Sequence, residues 1–184
     1  IVAIAGGTEA GAWLLVAALA LSGCDAPPDV EPTRPAGESP RPTLAEYFDR
    51  SGRTDVLSGG VRRIPISTPK GEFQVWTKRI GNNPKVKVLI LHGGPGASHE
   101  YLEAFDSYLP AAGIEYYHYD QLGSSYSDQP DEPSLWELPR FVDEVEQVRQ
   151  ALGLGPENLV LLGHSWGGIL AIEQLRQVFS ELGA

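Results

Sequence analysis

The sequence has 184 residues, of which 42% are hydrophobic, so it is long enough for one globular domain with a buried core. Its formal net charge of −10 argues against a nucleic-acid-binding protein, since such proteins carry stripes of Lys and Arg that neutralise phosphates. The single cysteine excludes an internal disulfide, and four scattered histidines without paired cysteines show no metal-ligand spacing. We therefore expect neither a metal nor another cofactor.

An uncharged apolar run, residues 12–21, lies near the start of the chain. It is too short for a stable transmembrane helix, which takes about 20 residues, and is typical of the central region of a secretory signal. The run ends in Leu21-Ser22-Gly23-Cys24, which resembles the lipobox of bacterial lipoproteins. This resemblance implies that residues 1–24 are a lipoprotein-type signal and that lipidated Cys24 anchors an exported protein to a membrane of the bacterial cell envelope. If the segment is misassigned, we expect a cytoplasmic protein instead.

A proline-rich stretch follows, with prolines at 27, 28, 32, 35, 40 and 42. Such a composition does not bury a core and stays extended and solvated, so we assign residues 25–55 to a linker and 56–184 to the folded domain. The sequence contains no methionine and ends directly after a predicted helix, so we expect that it is truncated at both ends.

The first half of the domain is predicted to contain strands separated by turns. Residues 61–66 and 73–77 alternate apolar and polar side chains around Pro69-Lys70-Gly71, which predicts a β-hairpin at the edge of a sheet. Strand 86–91 then ends in His92-Gly93-Gly94-Pro95-Gly96. After a predicted helix over about 101–108, strand 114–119 ends in Asp120-Gln121-Leu122-Gly123-Ser124-Ser125.

A helix is predicted over about 138–152, with Gly153 as its C-terminal cap. Its buried face, at helical spacing, consists of Phe141, Val145, Val148 and Leu152. We interpret Asp143, Glu144 and Glu146 as a solvated face and not as a catalytic pair of carboxylates.

The most informative stretch comes last. An apolar strand, residues 159–162, meets Gly163-His164-Ser165-Trp166-Gly167, and a helix-like stretch over 169–179 follows. This is the G-x-S-x-G nucleophile elbow in its strand-turn-helix context. The two glycines are needed where a side chain would clash in the tight turn, and the serine hydroxyl is exposed above the sheet.

Strands that alternate with helices predict an α/β fold with a mostly parallel sheet and right-handed crossovers. Ligands bind at the carboxyl ends of such strands. His92-Gly93-Gly94, Asp120 and Ser165 each follow a predicted strand, so we expect them at one rim of the sheet. The last predicted strand would present an unpaired edge.

These three motifs, in this order and spacing, resemble the proline iminopeptidase family of α/β-hydrolases over about residues 61–179. The resemblance implies the N-terminal half of an α/β-hydrolase fold, without its cap domain and C-terminal strands. It also implies that Ser165 is the nucleophile and that the backbone N–H groups of Gly94 and Trp166 form the oxyanion hole. Asp120 is expected to shape its loop by hydrogen bonding.

In this fold the catalytic triad runs Ser, Asp, His along the chain, yet neither an Asp nor a His follows Ser165. We do not expect an earlier histidine to act as the base. His164 should point away at the elbow, His92 belongs to the oxyanion loop, and His99 and His118 lie in the first half of the fold. The triad Asp and His are thus absent from this sequence, which we expect to be catalytically incomplete.

The family implies an enzyme that releases N-terminal proline, or a similar residue, from peptides through an acyl-enzyme. One alternative is an amino-acid amidase or esterase on the same fold, with an amino-acid amide or ester as substrate. Another is a non-catalytic, membrane-anchored binding protein. The expected partners are a peptide or amino-acid amide and, through Cys24, a membrane.

Overall fold

The structure is a computed structural model, and it describes residues 2–6, 13–17 and 43–181, with side chains described for 43–177. Seven strands form one sheet in the order β2-β1-β7-β5-β6-β4-β3. The strands are β1 (Val2–Gly6), β2 (Trp13–Ala17), β3 (Val61–Thr68), β4 (Gly71–Ile80), β5 (Lys87–Leu91), β6 (Glu115–Asp120) and β7 (Leu159–Gly163). The α-helices are α1 (Leu44–Phe48), α2 (Leu138–Ala151) and α3 (Trp166–Glu181), and 3₁₀ helices span Glu100–Ser107 and Pro133–Leu135.

The predicted hairpin at the sheet edge is confirmed. β3 and β4 pair antiparallel, with Ile64 opposite Val75 and Thr68 opposite Gly71. Ile64 and Ile66 are buried while their neighbours along β3 are exposed, as alternation in a half-buried strand requires. Pro65 is tolerated because β3 is an outer strand of the sheet and needs hydrogen bonds on one side only.

The centre of the sheet is parallel, as predicted. β5 pairs in parallel with β7 on one side and with β6 on the other, so that Leu91 lies opposite both Gly163 and Tyr119. All residues of β6, which pairs antiparallel with β4 on its other side, are buried, as in a central strand covered on both faces. The segments that follow β5, β6 and β7 therefore begin at the same edge of the sheet.

Helix α2 packs on the sheet through Phe141, Val145 and Val148, as its spacing predicts. One interpretation of its polar face is wrong. Asp143 is exposed, but Glu144 is only 1% exposed and accepts a 3.0 Å hydrogen bond from the Leu122 N–H.

Glu144 also accepts a hydrogen bond from the Tyr119 hydroxyl and pairs with the Arg140 guanidinium. It is buried because α2 crosses beneath the loop that follows β6, where polar groups of that loop need an acceptor. Glu146 is half-buried and pairs with Arg149.

The segment ahead of β3 packs on the amino ends of the parallel strands. Helix α1 begins with a capping box between Thr43 and Glu46, and its buried Tyr47 donates a 3.1 Å hydrogen bond to the Ile114 carbonyl. Arg53 pairs with Glu115 at 2.8 Å, so these contacts involve residues of the predicted linker, 25–55.

Residues 25–42 and Cys24 lie outside the described residues, so the signal, lipidation and linker predictions remain predictions there. The apolar run at 12–21 overlaps β2, and β1 pairs antiparallel with β7. The edge of β7 that we expected to be unpaired is thus covered by residues 2–5. Of the helices that the structure describes, none has the length and apolar character needed to cross a bilayer.

Candidate active site

The turn that carries Ser165 has the geometry of a nucleophile elbow. β7 ends at Gly163, α3 begins at Trp166, and Ser165 is exposed between them with a φ of 53°. A positive φ is uncommon for a residue with a side chain and is typical of a functional turn held by its surroundings. The strand-turn-helix context predicted for Ser165 is therefore present.

Both flanking glycines are required by close backbone approach. A Cβ at Gly163 would lie 2.2 Å from the Gly167 carbonyl oxygen, and a Cβ at Gly167 would lie 2.0 Å from the Leu91 carbonyl oxygen. The elbow is also tied to β5 by a 3.1 Å hydrogen bond from the His164 N–H to the Leu91 carbonyl. The tight turn thus presses the start of α3 directly against the end of β5.

The loop after β5 runs beside the serine. A Cβ built on Gly93 would lie 3.2 Å from the Ser165 Cβ, so the backbone of Gly93 borders Ser165. Gly94 is exposed with a φ of 124°, and a Cβ there would meet the backbone nitrogens of Gly96 and Ala97 at 2.6 and 2.7 Å. Only glycine fits this conformation at position 94.

His92 is a structural residue of this loop. It is fully buried, its Nε2 accepts a 3.0 Å hydrogen bond from the Gln121 N–H, and its Nδ1 lies 2.7 Å from the Gly93 carbonyl. Since Nε2 is an acceptor, Nδ1 carries the proton and donates to Gly93. Burial lowers the pKa of His92, which favours this neutral form.

Gln121 joins the three motifs, although no role was predicted for it from the sequence. Its Nε2 donates to the His92 carbonyl at 3.0 Å, and its Oε1 accepts from the Trp166 indole N–H at 3.1 Å. One buried amide therefore bonds both to the loop after β5 and to the first residue of α3. The signal in the sequence that could have identified Gln121 is its position directly after β6, whose carboxyl end lies at the same rim of the sheet as the ends of β5 and β7.

Asp120 shapes its loop by hydrogen bonding, as predicted. Its Oδ1 accepts hydrogen bonds from the His99 N–H at 2.9 Å and from His99 Nδ1 at 2.8 Å, and its Oδ2 accepts from the Tyr126 N–H at 3.3 Å. Burial alone would raise the pKa of Asp120, but the hydrogen bonds from His99 outweigh burial and hold that pKa below its usual value.

None of the four histidines, all of which lie in the described part of the chain, hydrogen-bonds to Ser165. His92 and His99 have the partners given above, and His118 Nε2 lies 3.0 Å from an Asp106 carboxylate oxygen. His164 Nδ1 lies 3.0 Å from the Tyr101 hydroxyl. The identity of the general base therefore stays a prediction. Within residues 43–177 no cluster of three His, Cys, Asp or Glu side chains is placed to hold a metal ion.

Aromatic side chains line the rim near the elbow. The Trp136 ring is 44% exposed and would lie 3.6 Å from a Cβ at Gly96 and 2.8 Å from one at Gly123. It therefore covers two of the three loops that meet here. Tyr101 and Ile169 also expose apolar surface. The rim combines an exposed serine with an apolar wall.

Comparison with known proteins agrees with this geometry. A family model described as alpha/beta hydrolase fold matches residues 87–175. The chain is 62% identical over 110 residues to a proline iminopeptidase of Flavobacterium johnsoniae, a match that covers 60% of this chain and 37% of that protein.

Solved structures show the same similarity. The crystal structure of a proline iminopeptidase from Mycobacterium smegmatis matches with a TM-score of 0.55 and 33% identity, over 64% of this chain and 40% of that one. An esterase from Exiguobacterium antarcticum matches with a TM-score of 0.52 and 27% identity, over 62% of this chain and 40% of that one. The chain spans less than half the length of these relatives. The predicted fold class is confirmed: this chain carries part of an α/β-hydrolase fold.

Proposed function

We propose that this chain supplies the nucleophile and the oxyanion hole of a serine hydrolase of the proline iminopeptidase type. The observation that carries the proposal is the placement of Ser165, which is exposed at a positive φ between the start of α3 and the Gly93-Gly94 backbone. A buried serine, or a loop turned away from it, would have argued against a nucleophile.

In the proposed reaction the Ser165 oxygen attacks the acyl carbon of the residue at the N-terminus of the substrate. The proton of the Ser165 hydroxyl goes to a general base. The electrons of the substrate C=O double bond move onto the carbonyl oxygen, which becomes an oxyanion. The N–H groups of Gly94 and Trp166 stabilise that charge. Trp166 is the first residue of α3, and the first N–H groups of a helix have no intrahelical acceptor and lie at its positive end. The leaving amine takes the proton as the bond to it breaks, and water then hydrolyses the acyl-enzyme.

We propose that the Asp and His of the triad come from residues beyond this sequence. Support comes from the engagement of all four histidines elsewhere and from the order Ser, Asp, His in this fold. Relatives that are more than twice as long as the matched segment have room for these residues and for a cap.

Proline as the released residue is supported by the 62% identity to a protein named proline iminopeptidase and by the apolar rim around Trp136. An amino-acid amidase or esterase is the second candidate, and the similarity to an esterase structure favours keeping it. The two are distinguished by the ratio of kcat/KM for a proline arylamide to that for a simple aryl ester.

The test uses the full-length protein and a fluorophosphonate probe, which reacts with activated serines. We expect strong labelling of the wild type and none of Ser165→Ala, with hydrolysis of a proline arylamide lost in parallel. Ser51→Ala is the matched control, because exposed Ser51 lies close to α1 at the opposite edge of the sheet. Labelling that survives Ser165→Ala, or that is equally strong in the isolated 184-residue fragment, would contradict the proposal.

We further propose that Cys24 carries a lipid anchor, a proposal that rests on the lipobox-like Leu21-Ser22-Gly23-Cys24. Two or more acyl chains hold a protein firmly on a membrane. Cys24→Ser should therefore move the protein from the membrane fraction to the soluble fraction. Wild-type protein that fractionates as soluble would favour the cytoplasmic alternative. A protein that is anchored but does not react with the probe would favour a binding protein.

A further inference from the structure

The hydroxyl of Tyr101 lies between the two loops that build the proposed site. It accepts a 2.6 Å hydrogen bond from the Gly93 N–H and lies 3.0 Å from His164 Nδ1. Gly93 immediately precedes Gly94, the proposed oxyanion donor, and His164 immediately precedes Ser165, the proposed nucleophile. The Tyr101 hydroxyl oxygen thus joins the residue before the proposed oxyanion donor to the residue before the proposed nucleophile.

The direction of these bonds follows from the donors present. Because the Gly93 N–H donates to the Tyr101 oxygen, the hydroxyl hydrogen is available for His164 Nδ1. His164 then accepts at Nδ1 and carries its proton on Nε2. The two rings also meet edge to face, with centroids 5.3 Å apart, so the hydroxyl is held in place by ring packing as well.

The backbone that carries Tyr101 is itself anchored on both sides. His99, at the start of the 3₁₀ helix Glu100–Ser107, is bonded to the Asp120 carboxylate through its N–H and its ring. Leu102 is 5% exposed and packs in the hydrophobic cluster beneath this helix. The position of Tyr101 is therefore fixed by these contacts and does not follow movements of the loop after β5.

We infer that Tyr101 is a positioning residue of the hydrolase: its hydroxyl sets the separation between the oxyanion loop and the elbow. This inference rests on the proposed function. Gly93 is buried, and its N–H has to be satisfied, so loss of the hydroxyl leaves a buried donor that the loop must move to satisfy. A movement of the neighbouring Gly94 acts on the transition state, where the oxyanion forms, and not on ground-state binding.

Tyr101→Phe in the full-length protein keeps the ring packing and removes only the hydroxyl. We expect kcat for a proline arylamide to fall by about tenfold with little change in KM, less than the roughly hundredfold or more that loss of a direct oxyanion donor costs. The rate of fluorophosphonate labelling should fall in parallel. Tyr108→Phe is the matched control, since exposed Tyr108 follows the same 3₁₀ helix and lies away from the elbow.

Position 164 gives an independent test. In His164→Asn the amide oxygen can accept a hydrogen bond near the position of Nδ1, whereas His164→Ala has no acceptor there. His164→Asn should therefore retain more of the kcat than His164→Ala. In the Tyr101→Phe background, His164→Ala should cost nothing further, because the two residues act through one hydroxyl.

The outcomes separate the role of Tyr101 from the proposed function. Activity that survives Ser165→Ala would overturn the proposed function itself. An inactive Ser165→Ala combined with a wild-type kcat in Tyr101→Phe would overturn only the role of Tyr101. An effect of Tyr101→Phe on KM alone would also overturn the role of Tyr101. Equal activities of His164→Asn and His164→Ala would overturn it as well.

Discussion

Replacement of Gly167 by Ala tests whether the contact between α3 and β5 sets the position of Ser165, the proposed nucleophile. A Cβ at this position would lie 2.0 Å from the Leu91 carbonyl oxygen and 2.8 Å from that of His92. Both are backbone atoms, one in the last residue of β5 and one in the residue directly after it, and they cannot turn aside as a side chain can. The start of α3 must therefore move away from β5.

The size of that movement follows from the contact. The separation from the Leu91 oxygen must grow from 2.0 Å to at least 3.0 Å, a displacement of about 1 Å. It would also weaken the 3.1 Å hydrogen bond from the His164 N–H to the same oxygen. Misplacement of a reacting group by about 1 Å can cost on the order of a hundredfold in rate. Overpacking costs about 1–3 kcal/mol in stability, part of which the higher helix propensity of Ala, worth about 1 kcal/mol, offsets.

Gly153→Ala is the control for stability. Gly153 has a φ of 64°, and no atom of the described residues lies within 4 Å of the place that a Cβ would take, so Ala there is strained without any clash. That strain costs roughly 1–2 kcal/mol. The two variants should lose similar stability in chemical denaturation, while only Gly167→Ala loses fluorophosphonate labelling. Labelling of Gly167→Ala at the wild-type rate would refute the reasoning.

Two further predictions concern buried ion pairs. Asp55 pairs with Arg79 at 2.6 Å, with side chains 8% and 3% exposed, and the hydrogen bond from Arg79 holds the pKa of Asp55 below its usual 3.8. Asp55→Asn should therefore cost about 3–5 kcal/mol near neutral pH, a difference from the wild type that shrinks as the pH falls through the lowered pKa. Urea denaturation across that range checks this, and a constant difference would contradict it. Glu144→Gln leaves Arg140 buried without its charge partner and should cost about 3–5 kcal/mol, whereas Asp143→Asn on the exposed face should change stability by less than about 0.5 kcal/mol. Equal effects in thermal melts would argue against the burial of Glu144.

Local patterns were sufficient to predict most of the elements. The hairpin of β3 and β4, the parallel strands β5 to β7 and helix α2 follow from side-chain periodicity and from the glycines and prolines between them. The elbow was predictable for the same reason, since G-x-S-x-G between a strand and a helix is a local requirement of a tight turn.

The polar network around the site was not predictable in this way. Glu144 was assigned to solvent because its neighbours along α2 are charged. Gln121 lies within the motif of residues 120–125 but was given no role, and Tyr101 belongs to none of the motifs. Each is defined by a partner distant in sequence: Glu144 by Leu122, Gln121 by His92 and Trp166, and Tyr101 by His164. Which polar group needs a partner depends on which backbone atoms the fold buries.

The sequence by itself determined the fold class and the residue expected to act as nucleophile, because strand periodicity, helix periodicity and tight-turn glycines act over a few neighbouring residues. Only the tertiary structure decided what surrounds Ser165: a glycine backbone beside it, four histidines engaged elsewhere, and a tyrosine hydroxyl between two loops. The physical reason is that a buried donor or acceptor has to be satisfied by whatever the packed sheet brings near it, and sequence spacing does not reveal that proximity.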